Sequence, residues 1–441
     1  MKTKHILYVT ILSLFIASNA FSSGYYIMEQ TGRGGGNAFS GNTVGYGDGS
    51  EVYFNPAAMS QIDSTTISSS TSIIEINARF HNRNTTNAFG VPVEGHGANG
   101  GGIAPVPSAY IVAPITEDLH AGFGFMAPYG MKVKYNDTWL GRYKADNTDL
   151  QILTFAPALS YKLTNNFSLG THIGINFADA EVSNAIDFGT IGLGLLGAQR
   201  GTALGLAPQQ NDGYAKLSGN DWAVNYSLGA LYTYGEDNRN RFGVSYRSKT
   251  AFDLEGNADF TVPEQVSFIQ DNNVFVDTSI SSHLTMPEHI TAGNRYWVTD
   301  KLALQAEANW IRWSKFKELR FKYGSAQSDS VEAEDWNNTF RYSAGALYKL
   351  TDDLTWNVGY MYDESPVPSN RRSPRIPDND RHLLGTGFTY DITDNLSFNA
   401  SYVYIIMNDS SIKIKDSVGN TLDGKYDLGI QVSTLGLTYS F

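Results

Sequence analysis

Histidines are the residues of this chain best suited to acid–base or nucleophilic chemistry, and there are eight of them. They are scattered, and no G-x-S-x-G sequence lies near them, so a hydrolytic triad is not indicated. His283 and His289 are six residues apart on or near a predicted strand, which places them on one face but too far apart to share a metal ion. Isolated histidines in loops or in an interior explain this pattern. We therefore predict no catalytic residues, no metal site and no enzyme activity.

A glycine-rich segment, residues 24–63, is the second candidate, with Gly32-Arg33-Gly34-Gly35-Gly36 at its centre. It lacks the Lys-Ser/Thr pair of a phosphate-binding loop and a complete G-x-G-x-x-G sequence, so we expect neither a nucleotide nor any other cofactor. Its glycines favour a compact plug that fits a narrow space. The net charge of -12 leaves no basic face for phosphates, which excludes nucleic acid as a partner.

An apolar segment, residues 186–196 continuing through 203–207, has the composition to bind a hydrophobic molecule. Apolar residues exposed in a loop are unfavourable unless they fold on themselves or contact a ligand. We predict that this segment, here called the landing loop, receives an apolar substrate. The alternative is a loop helix that packs only against its neighbour. The predicted contact residues are Ile191, Leu193, Leu195, Leu196, Leu204 and Leu206.

The N-terminus has the charged, apolar and small-residue order of a secretory signal peptide, which we assign to residues 1–23. Beyond it no segment approaches the ~20 apolar residues of a membrane helix. Aromatic residues make up 13% of the chain and charged residues only 17%, below the ~25% usual in soluble proteins. The exported chain contains no cysteine, so hydrogen bonds and packing must hold it together. This composition favours a membrane β-barrel over a soluble set of β-sandwiches.

Alternating apolar and polar residues predict about fourteen strands, joined by short turns on one side and long polar loops on the other. The last strand ends the chain at Phe441, with Leu435, Leu437 and Tyr439 on the same face. It must pair with the first strand to close a barrel. The predicted strands lie near residues 65–80, 103–113, 119–130, 150–163, 167–183, 222–234, 241–253, 281–297, 302–313, 336–350, 354–363, 381–391, 396–406 and 430–441.

Four motifs occur in order along the chain, at residues 55–58, 284–288, 309–316, and 363–368 leading to 375–381. Together they resemble the motifs of the FadL family of outer-membrane transporters. The family carries long-chain fatty acids, and its relatives carry aromatic hydrocarbons and other apolar molecules. The resemblance covers essentially the whole chain after residue 23.

The resemblance implies an all-β fold: a fourteen-stranded antiparallel transmembrane β-barrel whose lumen is plugged by an N-terminal hatch. The hatch would be residues 24–63, with the motif Asn55, Pro56 and Ala57, and the barrel would be residues 64–441.

Family members also kink their third strand inward, which opens a gap in the barrel wall. The third predicted strand here contains Ala127, Pro128, Tyr129 and Gly130. Pro128 cannot donate to the ladder and Gly130 tolerates unusual dihedral angles, so the sequence has its own physical reason for a kink. The alternative is that Pro128 merely ends the strand at a loop.

One feature departs from the fatty-acid members, which hold the substrate carboxylate with basic side chains from the fifth strand and the loop after the ninth. The corresponding residues 179–184 and 328–332 are acidic or neutral here. Either another cation such as Arg33, Arg79 or Lys132 replaces them, or the substrate is uncharged.

We therefore predict a monomeric, integral barrel of the bacterial outer membrane that takes up long-chain fatty acids or similar hydrophobic molecules passively and releases them sideways through the kinked third strand. Its other contacts would be with outer-membrane lipids or detergents. The alternatives are a hydrocarbon channel of the same architecture and a structural or adhesive surface barrel that transports nothing.

Overall fold

The computed structural model describes residues 24–416 and 418–441, so the predicted signal peptide lies outside the described residues. Within these residues the strands form one closed antiparallel barrel of fourteen, as predicted, and five strands are interrupted by a short break. The strands are β1 (Thr66–Asn82), β2 (Ile103–Pro114), β3 (Leu119–Lys134), β4 (Asn147–Thr164), β5 (Phe167–Asp187), β6 (Asp212–Tyr234), β7 (Asn240–Arg247 and Thr250–Thr261), β8 (Thr278–Met286 and His289–Trp297), β9 (Leu302–Ile311 and Glu318–Tyr323), β10 (Ser330–Ala333 and Thr339–Lys349), β11 (Leu354–Asp363), β12 (Arg381–Thr393), β13 (Leu396–Met407 and Ser410–Lys415) and β14 (Thr421–Ser440).

The first and last strands close the barrel along their whole length. Pairing runs from Thr66 opposite Ser440 to Asn82 opposite Gly424. Leu435 and Leu437 of β14 point outward and are more than half exposed, whereas the alternate threonines face the interior. This alternation gives the bilayer an apolar surface and keeps hydroxyl groups inside.

Threonine side chains stabilise the short turns at one end of the barrel. Thr116, Thr299, Thr351 and Thr393 each accept a hydrogen bond from a backbone N–H three residues later, at 3.0–3.1 Å. A threonine at such a position satisfies a donor that the tight turn leaves without a ladder partner. The repeated Thr-rich turn sequences therefore form hairpins, and the long loops lie at the opposite, extracellular end.

Short helices occur in the chain before β1 and in the long loops. Helix α1 is Glu51–Phe54, and the landing loop folds into α2 (Phe188–Leu196) and α3 (Ala198–Ala203). Helices of the 3-10 type, three to nine residues long, occur at Gly35–Asn37, Asn42–Val44, Pro56–Gln61, Glu236–Asn238, Glu264–Asn272 and Trp313–Lys315.

Candidate functional site

Residues 24–63, which we call the hatch, lie inside the barrel and are almost entirely buried. Asn55 fixes the start of the Pro56–Gln61 turn, since its Oδ1 accepts a hydrogen bond from Ala57 N at 3.2 Å. Its Nδ2 donates to Thr43 O within the hatch at 2.7 Å and to Ala230 O of β6 at 3.2 Å. The predicted hatch motif therefore connects two parts of the hatch to the barrel wall.

Glycines in the wall allow this motif to lie against the strands. A Cβ added to Gly170 of β5 would come within 2.4 Å of Ala57 N, and one added to Gly229 of β6 within 2.0 Å of the Asn55 side-chain oxygen. Gly243 of β7 likewise has no room for a side chain, because Thr43 O would lie 2.4 Å from its Cβ. These three positions need glycine for close approach, not for an unusual backbone angle.

Polar and charged groups attach the hatch to β6–β9. Glu307 of β9 accepts a hydrogen bond from Thr43 N at 2.7 Å. Arg247 of β7 donates to the Tyr53 hydroxyl at 2.5 Å and to the Tyr53 carbonyl at 2.6 Å, with the guanidinium over the Tyr53 ring. Charge-assisted bonds of this kind are stronger than neutral ones, so this side of the hatch is held firmly.

The third strand is irregular at Ala127 and Pro128, two of the four predicted residues; Tyr129 and Gly130 are paired in regular register, and Gly130 does not have the unusual dihedral angle that was expected. The β3–β4 register shifts by one residue between Met126 and Tyr129, which is a β-bulge at Ala127 and Pro128. The strand nevertheless continues to Lys134, so Pro128 does not end it at a loop.

The start of the hatch takes the place of a neighbouring strand at this kink. Ile27 N donates to Pro128 O at 2.8 Å and Gly130 N donates to Tyr25 O at 3.0 Å. The Gln30 amide pairs with both backbone groups of Ala127, donating to its carbonyl at 2.7 Å and accepting from its N–H at 3.1 Å. The predicted kink residues therefore contact the hatch directly.

Beyond the kink, β2 and β3 are not paired with each other over about half of their length. Their pairing ends at Ala109 opposite Phe125, although β2 stays paired with β1 as far as Ile103. We call the opening between residues 103–108 and 126–134 the lateral gap. Pro105 and Pro107 lie in the stretch of β2 that has no pairing with β3, where the missing proline N–H costs no hydrogen bond between these two strands. These prolines were a signal of the gap that the sequence analysis did not use.

An apolar pocket lies inside the barrel beside Tyr25 at the start of the hatch. This inner pocket is a cavity of about 70 Å³, narrower than the 300–1,000 Å³ usual for ligand sites, so a long ligand must move its lining side chains. Besides Arg375, Glu334 and Asp149, the last of which is paired with Lys132, it is lined mainly by apolar groups. These include Met131, Leu150, Val182, Leu217, Leu254, Ile280, Leu284, Phe316, Leu319, Phe321 and Ile376.

Arg375 is the buried cation of the inner pocket, with 8% of its surface exposed. It donates to Thr148 Oγ1 at 2.9 Å, and its Nε lies 3.7 Å from a Glu332 carboxylate oxygen. Burial, and secondly the charge of Glu332, raise the pKa of Glu334 to about 8, so this carboxyl is mostly protonated at neutral pH. The pocket therefore offers a positive group at one end of an apolar space.

An open groove connects the inner pocket to the extracellular loops. This outer groove has a volume of about 600 Å³ and shares Val182, Leu217, Leu319, Phe321 and Arg375 with the inner pocket. Ile191 of the landing loop also lines it. Arg375 thus stands where the two cavities meet.

The predicted residues of the landing loop occupy different environments. Leu195 and Leu204 are more than half exposed, whereas Leu206 is buried against Phe188 and Val266. Ile191, Leu193 and Leu196 are partly buried beside the same cluster. The loop packs on the neighbouring loop through one face and leaves the other face apolar and open.

The three cations considered in the sequence analysis lie elsewhere. Arg33 donates to Asn399 Oδ1 at 3.1 Å, Arg79 is exposed on the outward face of β1, and Lys132 is paired with Asp149 at 3.0 Å. Sequence reasoning missed Arg375, although it belongs to a motif that carried the family resemblance. Within the described ranges no group of three histidine or acidic side chains is placed to hold a metal ion.

Comparison with known proteins agrees with this architecture. The family model described as "Outer membrane protein transport protein (OMPP1/FadL/TodX)" matches residues 13–441. The long-chain fatty acid transport protein of Escherichia coli (strain K12) is 28% identical over 418 residues, which are 91% of each chain. A Pseudomonas aeruginosa FadL homologue of known crystal structure has a TM-score of 0.85 at 23% identity, covering 95% of this chain and 100% of that one. The P. putida toluene transporter TodX, also of known crystal structure, has a TM-score of 0.67 at 16% identity. The match covers 90% of this chain and 95% of that one.

Proposed function

Because the chain belongs to the OMPP1/FadL/TodX family of outer-membrane transport proteins, we propose that its substrates are long-chain fatty acids, released sideways into the membrane. The protein is an integral β-barrel of the bacterial outer membrane and a transporter of hydrophobic compounds, not an enzyme. The observation that carries the fatty-acid proposal is the buried guanidinium of Arg375 at the end of an apolar pocket. A fatty acid has the matching chemistry, with one anionic end and one apolar chain.

The proposed route has three steps. Substrate lands on the exposed leucines Leu195 and Leu204, then enters the outer groove beside Ile191. It next passes Arg375 into the inner pocket, where burial of its chain is favourable by about 0.8 kcal/mol per methylene. Finally it moves past Tyr25, which covers the kink, and leaves through the lateral gap. The substrate gradient and this burial suffice to drive uptake, so the route needs no nucleotide.

A neutral hydrocarbon is the second candidate substrate, and acidic side chains favour it. Glu332 lies near Arg375 and offsets part of its positive charge, and Glu334 becomes charged above a pH of about 8. The solved toluene transporter has the same fold. Mass spectrometry of ligand that co-purifies with the protein distinguishes the possibilities: a fatty acid supports the first proposal and an aromatic or alkane the second. Persistent absence of any apolar ligand would favour a barrel that transports nothing.

The lateral route is tested by Gly130→Arg. A Cβ at Gly130 would lie 3.0 Å from Ile27 Cδ1, so the large side chain must displace the hatch or fill the space beside the gap. We expect reduced uptake of labelled palmitate at a normal surface amount of protein. Gly429→Arg is the matched control, because a Cβ there meets nothing within 4 Å. Undiminished uptake by the Gly130 variant would count against the lateral route.

A further inference from the structure

Three neighbouring strands of the wall break at the same height. The break in β7 contains Ser248 and Lys249, which face the break in β8 at residues 287–288, because Arg247 pairs with His289 and Thr250 with Met286. The break in β9 begins at Arg312, whose N–H donates to Glu288 O at 3.0 Å. Break residues from all three strands line a single outward groove of about 660 Å³, here called the β7 groove.

The β7 groove lies at the extracellular edge of the bilayer-facing surface. On β7, Phe242 and Val244 are exposed to the bilayer, and Lys249 is the tenth residue counted from the start of the strand at Asn240. A tilted strand crosses a membrane in about 9–11 residues, so Lys249 is at the outer interface. Part of the groove is apolar: Ile173 and Val224 are more than half exposed. Acyl chains of the outer leaflet would contact this part.

The part of the groove at the strand breaks is positively charged. Three cationic groups, Lys249, Arg312 and Lys315, stand against one carboxylate, Glu288. Arg312 pairs with Glu288 at 2.5 Å, and the Tyr246 hydroxyl donates to the same carboxylate at 3.1 Å. In the described part of the chain no carboxylate lies within ion-pair distance of Lys249 or Lys315, and both are exposed. Two amines are therefore available to an anion at the level of the lipid head groups.

We propose that the β7 groove binds the phosphorylated lipid A of the outer leaflet. A phosphate would accept hydrogen bonds from Lys249 and Lys315, while an acyl chain lies along Ile173, Val224 and Tyr226. Lipid A matches the groove because it carries phosphates and several acyl chains at this depth. This site is on the outside of the barrel and does not rest on the proposed uptake of fatty acids.

The test measures lipid A binding to the purified full-length protein by native mass spectrometry. The probes are lipid A with both phosphates and the same lipid with its phosphates removed. Each lysine near a charged head group contributes roughly fivefold, so Lys249→Gln/Lys315→Gln should bind the phosphorylated probe roughly 25-fold more weakly. The control is Lys301→Gln/Lys349→Gln, which removes two exposed lysines at the opposite end of the barrel and should bind like the unmodified protein.

Three results would overturn the proposal. These are equal affinity of the two double variants, equal loss in both, or equal binding of the two lipid probes to the unmodified protein. Because Lys249 and Lys315 are exposed side chains, we expect both variants to fold, and a normal melting temperature checks this. Raised salt should weaken binding of the phosphorylated probe and leave that of the dephosphorylated one unchanged.

Discussion

Replacing Arg375 with methionine should separate recognition of the carboxylate from recognition of the chain. Methionine keeps an unbranched side chain of similar length in the apolar pocket but removes the charge. A hydrogen bond to a charged group contributes about 1.5–3 kcal/mol, so palmitate should bind roughly 10- to 150-fold more weakly. Hexadecanol has the same chain without the charge, and its affinity should change little. The loss of the 3.7 Å contact leaves Glu332 without Arg375, but Glu332 is partly exposed and stays hydrated.

The assay is competitive displacement of a fluorescent fatty acid from the purified protein, with palmitate and hexadecanol as competitors. The decisive quantity is the ratio of the two affinities, because a general disturbance of the pocket would weaken both ligands alike. Arg375→Lys keeps the charge but not the forked geometry, and should recover part of the ratio. An unchanged ratio in Arg375→Met would refute a head-group role for this residue. In that case the acidic neighbours would favour an uncharged substrate.

Three other changes test the remaining parts of the site. Gln30→Leu removes both partners of the Ala127 backbone at the kink, so hydrogen exchange at that amide should accelerate about tenfold or more; unchanged exchange would contradict the contact. The folded-state pKa of Glu334, about 8, lies above its unfolded value, so the stability it contributes is complete below about pH 4 and is lost as the pH rises through 8. Above pH 8 its charge should also weaken palmitate binding, and Glu334→Gln should make both stability and binding flatter across this range. Leu195→Ser/Leu204→Ser should raise the palmitate concentration needed for half-maximal uptake without lowering the maximal rate; an unaltered uptake curve would remove the landing role.

The strand pattern was predictable because one face of each strand meets lipid and the other meets the interior. All fourteen predicted strands occur, and the closure of β14 on β1 is confirmed. The predicted starts were too late for β6, which begins at Asp212, and for β14, which begins at Thr421. These extensions rise above the membrane, where neither face is selected for contact with lipid. Alternation continues there in the opposite sense, since Leu422 and Tyr426 of β14 are buried inside while Lys425 and Asp427 face outward, so a search for an apolar outer face misses these stretches.

The inner pocket was less predictable because several distant loops and strands build it. Arg375 lies in the loop between β11 and β12, and nothing local shows that its side chain turns inward to Thr148 of β4. Lys132 directly follows Met131, which lines the pocket, but the carboxylate of Asp149 on the adjacent strand neutralises its charge. By contrast, Pro128 gave a local reason for an irregularity at the place that the family resemblance implied, since a proline in a central strand needs a bulge or an edge.

The two sides of the hatch differ in a way that favours exit toward β3. On the β6–β9 side, the Glu307 carboxyl and the Arg247 guanidinium bind the hatch, and a hydrocarbon chain entering there would displace their hydrogen bonds without replacing them. On the β3 side the hatch is attached mainly by backbone bonds at Pro128 and Gly130 and by one neutral amide, Gln30. Neutral bonds of this kind contribute only about 0.5–1.5 kcal/mol each, whereas burial of two methylenes contributes about as much as one of them. A long apolar chain in the inner pocket would therefore disrupt weaker polar contacts at the kink than on the opposite side. The proposed direction of release is therefore toward the side of the hatch with the weaker polar contacts.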